Sequence, residues 1–337
     1  MIVAKEIFGK KSDGDISISD RKLIEKCYDE GEYLTRLVEY QEEIPGIEGR
    51  LVPKKIYHDS LAYKPKNKRD FLLSDIDYVE FDVVNCFPTI LVKLCEENDI
   101  PCPTWIYHNE NRDIVLGQVI DLMTDIEMIF SDETERKYAK KFIFNALYGF
   151  YPEDLQTDNP YVKGLMIRAK EKGIPDSKNN SYERKPIQEH HSYFILKELA
   201  DEAKMLMEAL YKKNIIYETK DILSKEIELV KFAEENYEKL NENDFHYNLP
   251  EHRSPKTFYM YLLFVIEERK IFNSCYDLNN GAIMEPICFL CDGIIFKGTE
   301  KEIVEKLNKL GFNVESLQEL VDRFDIKVKV TEHEKNN

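Results

Sequence analysis

No window of about eighteen residues in this chain is free of charge, and no basic leader precedes a long apolar run near its start. These absences predict a protein that is neither secreted nor membrane-spanning and stays in a cytosol-like compartment, with no membrane partner. Repeats and low-complexity tracts are missing as well, which excludes a solenoid. The seven cysteines are scattered rather than spaced as a framework, so reduced thiols are expected and disulfides are not. One C-x-x-C pair, Cys288 and Cys291, falls short of the four ligands of a structural zinc site, and His190-His191 lacks a second ligand pair.

Positive charge is also scarce. A formal charge of -17 opposes binding to a phosphate backbone, which depends on lysine and arginine displacing condensed counterions. Its distribution is uneven, however. From Arg50 to Arg69 seven basic residues stand against Asp59, and from Lys163 to Lys185 seven more stand against Glu171, Asp176 and Glu183. Local potential outweighs charge lying beyond a Debye length of about 10 Å, so either segment can be a nucleic-acid groove or a solvated surface.

What is present is a chain of 337 residues, 43% hydrophobic, enough for one large or two modest cores. A helical stretch near Asp20 to Glu39 and a basic loop open it. Asp77 to Val84 reads as a buried strand, and a helix follows from Thr89 to Glu97. Ile114 to Phe130 and Glu133 to Leu147 form a helical hairpin, interrupted by Ser131-Asp132 as an N-cap. After a polar stretch from Tyr151 to Pro186, helices are predicted over Ser192 to Lys213, Thr219 to Leu240 and Pro255 to Phe272. Ile287 to Phe296 reads as two strands joined by a turn, followed by helices near Glu300 to Leu310 and Ser316 to Phe324 and a strand from Ile326 to Val330. The fold class is α+β, with an antiparallel sheet.

Three segments carry chemistry. In the first, Asp82-Val83-Val84-Asn85-Cys86-Phe87-Pro88-Thr89-Ile90, an aspartate leaves a buried strand just before a helix. Such a carboxylate can hold magnesium, which needs only one or two carboxylates besides substrate phosphates, or can serve as an ordinary turn former. In the second, Lys141 to Gly149, a helix aligns Lys137, Lys141, Asn145 and Tyr148 on one face; this stripe can clamp a triphosphate or be an exposed face capped by Gly149. In the third, Leu290-Cys291-Asp292-Gly293, an acid and a glycine occupy the apex of an apolar hairpin, as an Asp-Gly turn also would.

In this order the three segments resemble motifs A, B and C of family B DNA polymerases, including compact polymerases of viruses and mobile elements: D-x-x-S-L-Y-P-S-I, K-x-x-x-N-S-x-Y-G and D-T-D-S. The likeness spans about a third of the chain. Alanine replaces the motif B serine, Asn85 the motif A serine, Phe87 the usual tyrosine and Leu290 the first motif C aspartate.

The resemblance implies a polymerase palm with antiparallel sheet and helices, helical-hairpin fingers, and a helical insertion between motifs B and C. The corresponding boundaries are 1–75 for an N-terminal region with a basic loop, 76–98 for palm with motif A, 99–150 for fingers, 151–250 for the insertion, and 251–337 for palm with motif C and a helix-strand tail. It further implies nucleotidyl transfer to a 3′-hydroxyl by two Mg2+ or Mn2+ ions. Asp82 and Asp292 would be the catalytic metal ligands, with the Val83 carbonyl. Lys141, Asn145, Lys137 and Arg112 would contact the triphosphate, Tyr148 the nascent base pair, and Phe87 the sugar, where it favours deoxynucleotides. Lys64, Lys66, Lys68, Arg69, Lys327 and Lys329 are candidates for contacts to a DNA primer-template. The implied partners are that DNA and deoxynucleoside triphosphates, with room for a priming or helicase partner, and the implied location extends to a host cell's replication compartment. Two alternatives stay open: a primase or template-independent nucleotidyltransferase, and a catalytically dead polymerase-like DNA-binding module.

Overall fold

The computed structural model describes residues 2–9, 23–30, 33–44, 47, 51–57, 59–125, 132–151, 191–218, 226–243, 254–277, 286–290, 293–309, 311–322 and 328–334. The second basic segment, most of the polar stretch before Pro186, Cys291, Asp292, Lys327 and the end of the first predicted hairpin helix lie outside them. The chain divides into two compact units, Met1–Cys86 with Val265–Asn337, and Phe87–Phe264. Helices and antiparallel sheets make up both the described chain and the expected α+β class.

The first unit begins with a sheet rather than the expected helix. Strand β1 (Ile2–Gly9) pairs antiparallel with β3 (Tyr33–Glu42), which also pairs with β2 (Tyr28–Asp29) and β4 (Leu51–Pro53). Period-two patterning won here: Arg36, Val38 and Tyr40 are buried while Leu37 is exposed. A buried arginine reads as polar in sequence, and its burial rests on distant partners. Arg36 Nε and Nη2 lie 2.8 and 2.7 Å from Glu6 Oε2, and Nη1 lies 2.8 Å from Asp59 Oδ1. Glu6 also accepts from Ser60 Oγ and from the Leu61 amide at 2.8 Å, and Lys26 reaches Asp59 at 2.7 Å. Burial raises the pKa of Glu6 despite these donors. Burial opposes ionisation of Asp59 too, yet bonds from Lys26 and Arg36 hold its carboxyl down at about 2.

The expected basic loop is mostly structured. Lys66, Lys68 and Arg69 lie on helix α1 (Lys66–Leu73), which Pro65 starts; its carbonyl accepts from the Lys68 and Arg69 amides. Beyond α1, strand β5 (Tyr78–Val83) occupies an inner position of a second antiparallel sheet, whose order is β10 (Val328–His333), β5, β9 (Gly293–Lys297), β8 (Pro286–Phe289). Residues on both of its faces are buried, which explains its nearly continuous apolar character. Phe81 meets Phe296 edge to face at 5.3 Å, and Ile7, Phe8, Leu72, Tyr78, Ile287 and Ile295 join one core. Toward the C-terminus, helix α9 (Glu300–Lys309) starts with a reciprocal box: the Glu302 amide donates to Thr299 Oγ1 at 3.2 Å and the Thr299 amide to Glu302 Oε2 at 3.1 Å. The short α10 (Leu317–Val321) is capped by Ser316.

The second unit is largely helical: α2 (Cys86–Glu97), α3 (Pro103–Glu110), α4 (Arg112–Asp125), α5 (Asp132–Ala146), α6 (His191–Lys213) and α7 (Leu229–Asn243), with the first part of α8 (Pro255–Asp277). Helices α4 and α5 pack as the expected hairpin, and both lie on α6. Glu202 of α6 accepts from the Thr104 and Trp105 amides at 2.9 and 3.1 Å, capping α3 from afar, while Trp105 Nε1 donates to the Leu199 carbonyl at 2.8 Å. The helix predicted from Thr219 is instead preceded by a hairpin, β6 (Ile216–Glu218) with β7 (Glu226–Glu228), so the segment is not helical throughout. Every residue of α8 from Phe258 to Ile266 is buried, as befits a helix apolar on all sides.

Candidate active site

Strand β5 carries candidate residues of the first unit. Tyr78, Glu80 and Asp82 alternate onto one face, and the half-buried Asp82 is opposite Gly293 of β9 on one side and Lys329 of β10 on the other. The Leu290 amide donates to the Gly293 carbonyl at 2.8 Å, closing a two-residue connection that contains Cys291 and Asp292. Gly293 therefore belongs to the strand and not to the apex expected from Asp-Gly. A Cβ there would lie 2.5 Å from the Phe81 carbonyl oxygen, so only glycine permits β9 to approach β5 beside Asp82.

After Val83, which is buried, the chain turns at Asn85 with φ 50°, in the left-handed region that asparagine tolerates. The buried Asn85 Oδ1 has no hydrogen-bond partner among the described residues. Magnesium or manganese demands hard oxygen ligands and leaves positions for water and phosphate. The Asp82 carboxylate, the Val83 carbonyl and a chain neighbour of Gly293, Asp292, are of that chemical kind, so the residues present fit such an ion. Among the described residues, no three His, Cys, Asp or Glu side chains cluster as a metal site.

Glu80, which sequence reasoning passed over, is buried and gathers basic side chains. Lys66 Nζ lies 3.4 Å, His333 Nε2 3.7 Å and Arg69 Nη2 3.8 Å from its carboxylate. Arg69 also donates to the Lys64 carbonyl at 2.9 Å, and its side chain is 14% exposed, against 61% for Lys66. The signal for Glu80 was its position two residues before Asp82 on an otherwise apolar strand. Lys64 is half-buried, while Lys68 and Lys329 are exposed.

The second unit holds the other candidates. On α5, Lys137 is exposed, Lys141 is half-buried and Asn145 is buried, with Nδ2 donating to the Lys141 carbonyl at 3.0 Å. Asn145 Oδ1 has no partner among the described residues. The helix ends in a Schellman motif: Gly149, at φ 73°, donates to Ala146, and Phe150 donates to Asn145. Phe87 is 7% exposed, stacked 4.9 Å from Phe264 and lying 6.0 Å from Phe144 and 6.3 Å from Tyr261. Tyr148 joins this group through Phe144 at 5.4 Å and Phe264 at 6.0 Å. The fold thus brings together the aromatic residues of the first and second motifs. Arg112 begins α4.

No protein-family model and no curated protein matches the chain. It is similar to a solved DNA polymerase domain. That structure is the POL domain of Pol1 from M. smegmatis in complex with DNA primer-template and dNTP, at 13% identity and a TM-score of 0.46. The likeness covers 88% of this chain and 47% of that one, so the chain spans about half its length. A likeness this distant assigns no residue a role. Among the described residues no helix is long and apolar enough to cross a membrane.

Proposed function

We propose that this chain is a nucleotidyltransferase of the DNA polymerase type, family B-like in its motifs, which adds deoxynucleotides to a primer 3′-hydroxyl. The observation that supports this most is the register of β5 and β9: Asp82 is opposite Gly293, and Gly293 follows Asp292 directly. Two carboxylates close together are what paired metal ions require, and this register supports pairing the acid of the first motif with the one that precedes β9 in sequence.

In this reading Asp82, Asp292 and the Val83 carbonyl hold two Mg2+ or Mn2+ ions, which when bound activate the 3′-hydroxyl and stabilise the leaving pyrophosphate. Lys141 balances triphosphate charge, with Lys137 and Arg112 as further phosphate partners. Asn145 positions the nucleotide. One N–H of its Nδ2 is engaged by the Lys141 carbonyl, and its buried Oδ1, without a partner among the described residues, is an acceptor that matches a hydroxyl or amine donor rather than a phosphate oxygen. Tyr148 bounds the base pair. Phe87, fixed by Phe144, Tyr261 and Phe264, underlies the sugar. Lys64, Lys68 and Lys329 contact DNA phosphates, as does Lys66 in competition with Glu80. Arg69 orients α1 through the same glutamate, and Lys327, which precedes β10 in sequence, is a further candidate.

Primer extension with deoxy- or ribonucleotides, and with magnesium or manganese, tests the reading. Extension by wild type and its loss in Asp82→Asn and Asp292→Asn proteins that remain folded are expected. Wild-type protein that binds DNA yet extends no primer would overturn it.

A further inference from the structure

A second row of cations on the α4–α5 hairpin runs beside the Lys137, Lys141 and Asn145 stripe. Arg136 and Lys140 are four residues apart on α5, and therefore neighbours one turn along the helix, offset by one residue from Lys137 and Lys141. Arg136 Nη2 reaches Asp113 Oδ1 of α4 at 2.5 Å, which fixes this part of α5 beside the start of α4, where Arg112 is located. Lys140 experiences both guanidinium groups and the single carboxylate of Asp113; partial burial first, then the two arginines, lower its pKa. Burial chiefly, and Arg112 in addition, lower the pKa of His108 to about 4.

Like charges one helical turn apart repel, and in a chain of charge -17 no shortage of acids forces them together. Arg136 and Lys140 are both exposed, so an arriving anion can reach them. Close to Arg112 in sequence stand exposed apolar groups: Tyr107 at the end of α3 and Ile114 in the first turn of α4. The Asn111 amide donates to the Tyr107 carbonyl at 2.9 Å and the Ile114 amide to the Asn111 carbonyl at 3.0 Å, tying both residues to the corner that carries Arg112. Cations that follow a backbone, with an aromatic face on which a base can stack, are what single strands require of a protein surface.

We propose that Arg136 and Lys140, with Tyr107, form a docking site for the phosphodiester backbone of single-stranded nucleic acid, such as the unpaired part of a template. This rests on the polymerase reading for its purpose, but not for its chemistry. The test is binding of a fluorescent single-stranded oligodeoxynucleotide to the full chain across a salt series, without nucleotide or divalent metal. R136Q/K140Q should bind several-fold more weakly, and the salt slope should fall by about 0.7 for each phosphate that is no longer neutralised, or about 1.4 for the pair. Tyr107→Ala should weaken binding and leave the slope unchanged. An unchanged slope in a folded R136Q/K140Q protein overturns the proposal, and so does a raised nucleotide KM with unchanged oligonucleotide affinity, which would assign the cluster to a triphosphate. Because the assay needs no turnover, absent primer extension would count against the polymerase reading alone.

Discussion

Asp82 of β5 and Gly293 of β9 are direct partners across the second sheet, and the Phe81 carbonyl stands where a side chain on Gly293 would have to go. The contact is backbone against backbone, so no rotamer change can relieve it.

Gly293→Ala should therefore push β9 away from β5 at the position of Asp82. The expected result is a loss of about 1 to 3 kcal/mol in stability, the range of an overpacked core site, together with a larger fall in kcat than in primer affinity. Urea unfolding and primer extension measure the two. A protein of wild-type stability and activity would mean that the two strands accommodate a methyl group at this position.

The other partner of Asp82 is Lys329. If Asp82 holds metal as proposed, Asp82→Asn, at a half-buried position, should abolish incorporation while leaving stability within about 1 kcal/mol of wild type. Lys329→Gln, at an exposed site, should instead weaken DNA binding and lower its salt slope by up to about 0.9, with kcat retained. Equal losses of kcat in both proteins would show that the lysine serves the carboxylate and not the DNA.

The second sheet and the helical hairpin were legible because their signals are local. β5 is a run of apolar residues around two acids, and α5 carries both its periodicity and its terminal Gly149. Arg36 illustrates why the N-terminal sheet was not: its inward position depends on Glu6, 30 residues away, and on Asp59, 23 residues away. Glu80 and the Glu202 cap on α3 were hidden for the same reason, since Glu202 meets partners 97 and 98 residues away. Gly293 shows a subtler limit. Asp-Gly signals a turn whichever residue occupies the apex, and only the approach of Phe81 separates the alternatives.

The buried network around Arg36 gives a prediction in pH. Asp59 titrates at about 2 in the folded protein against 3.8 in its ordinary state, so the carboxyl is depressed. Its contribution to stability is complete above about pH 4 and lost as pH falls toward 2, because the unfolded chain takes up the proton first. Asp59→Asn should lower stability at pH 7 and flatten the decline between pH 4 and pH 2, as followed by urea unfolding at each pH. An equally steep acid limb in the variant would place that proton uptake elsewhere.

Phe87 is where a role in sugar selection and a role in packing have to be separated. Its ring is held by Phe264, Phe144 and Tyr261, so Phe87→Ala should cost about 3 to 5 kcal/mol of stability whether or not the ring touches substrate. Total activity is therefore a poor readout. The ratio of ribonucleotide to deoxynucleotide incorporation, measured within one preparation, is a better one, because the folded fraction cancels from it. Phe87→Leu, which keeps most of the volume, guards against outright unfolding of the alanine variant. If the ring excludes a 2′-hydroxyl, the ratio should rise in both proteins, more in Phe87→Ala; a tenfold rise corresponds to about 1.4 kcal/mol of lost discrimination. An unaltered ratio in a variant that still extends primers would leave Phe87 as a packing residue, and the preference for deoxynucleotides would need another source.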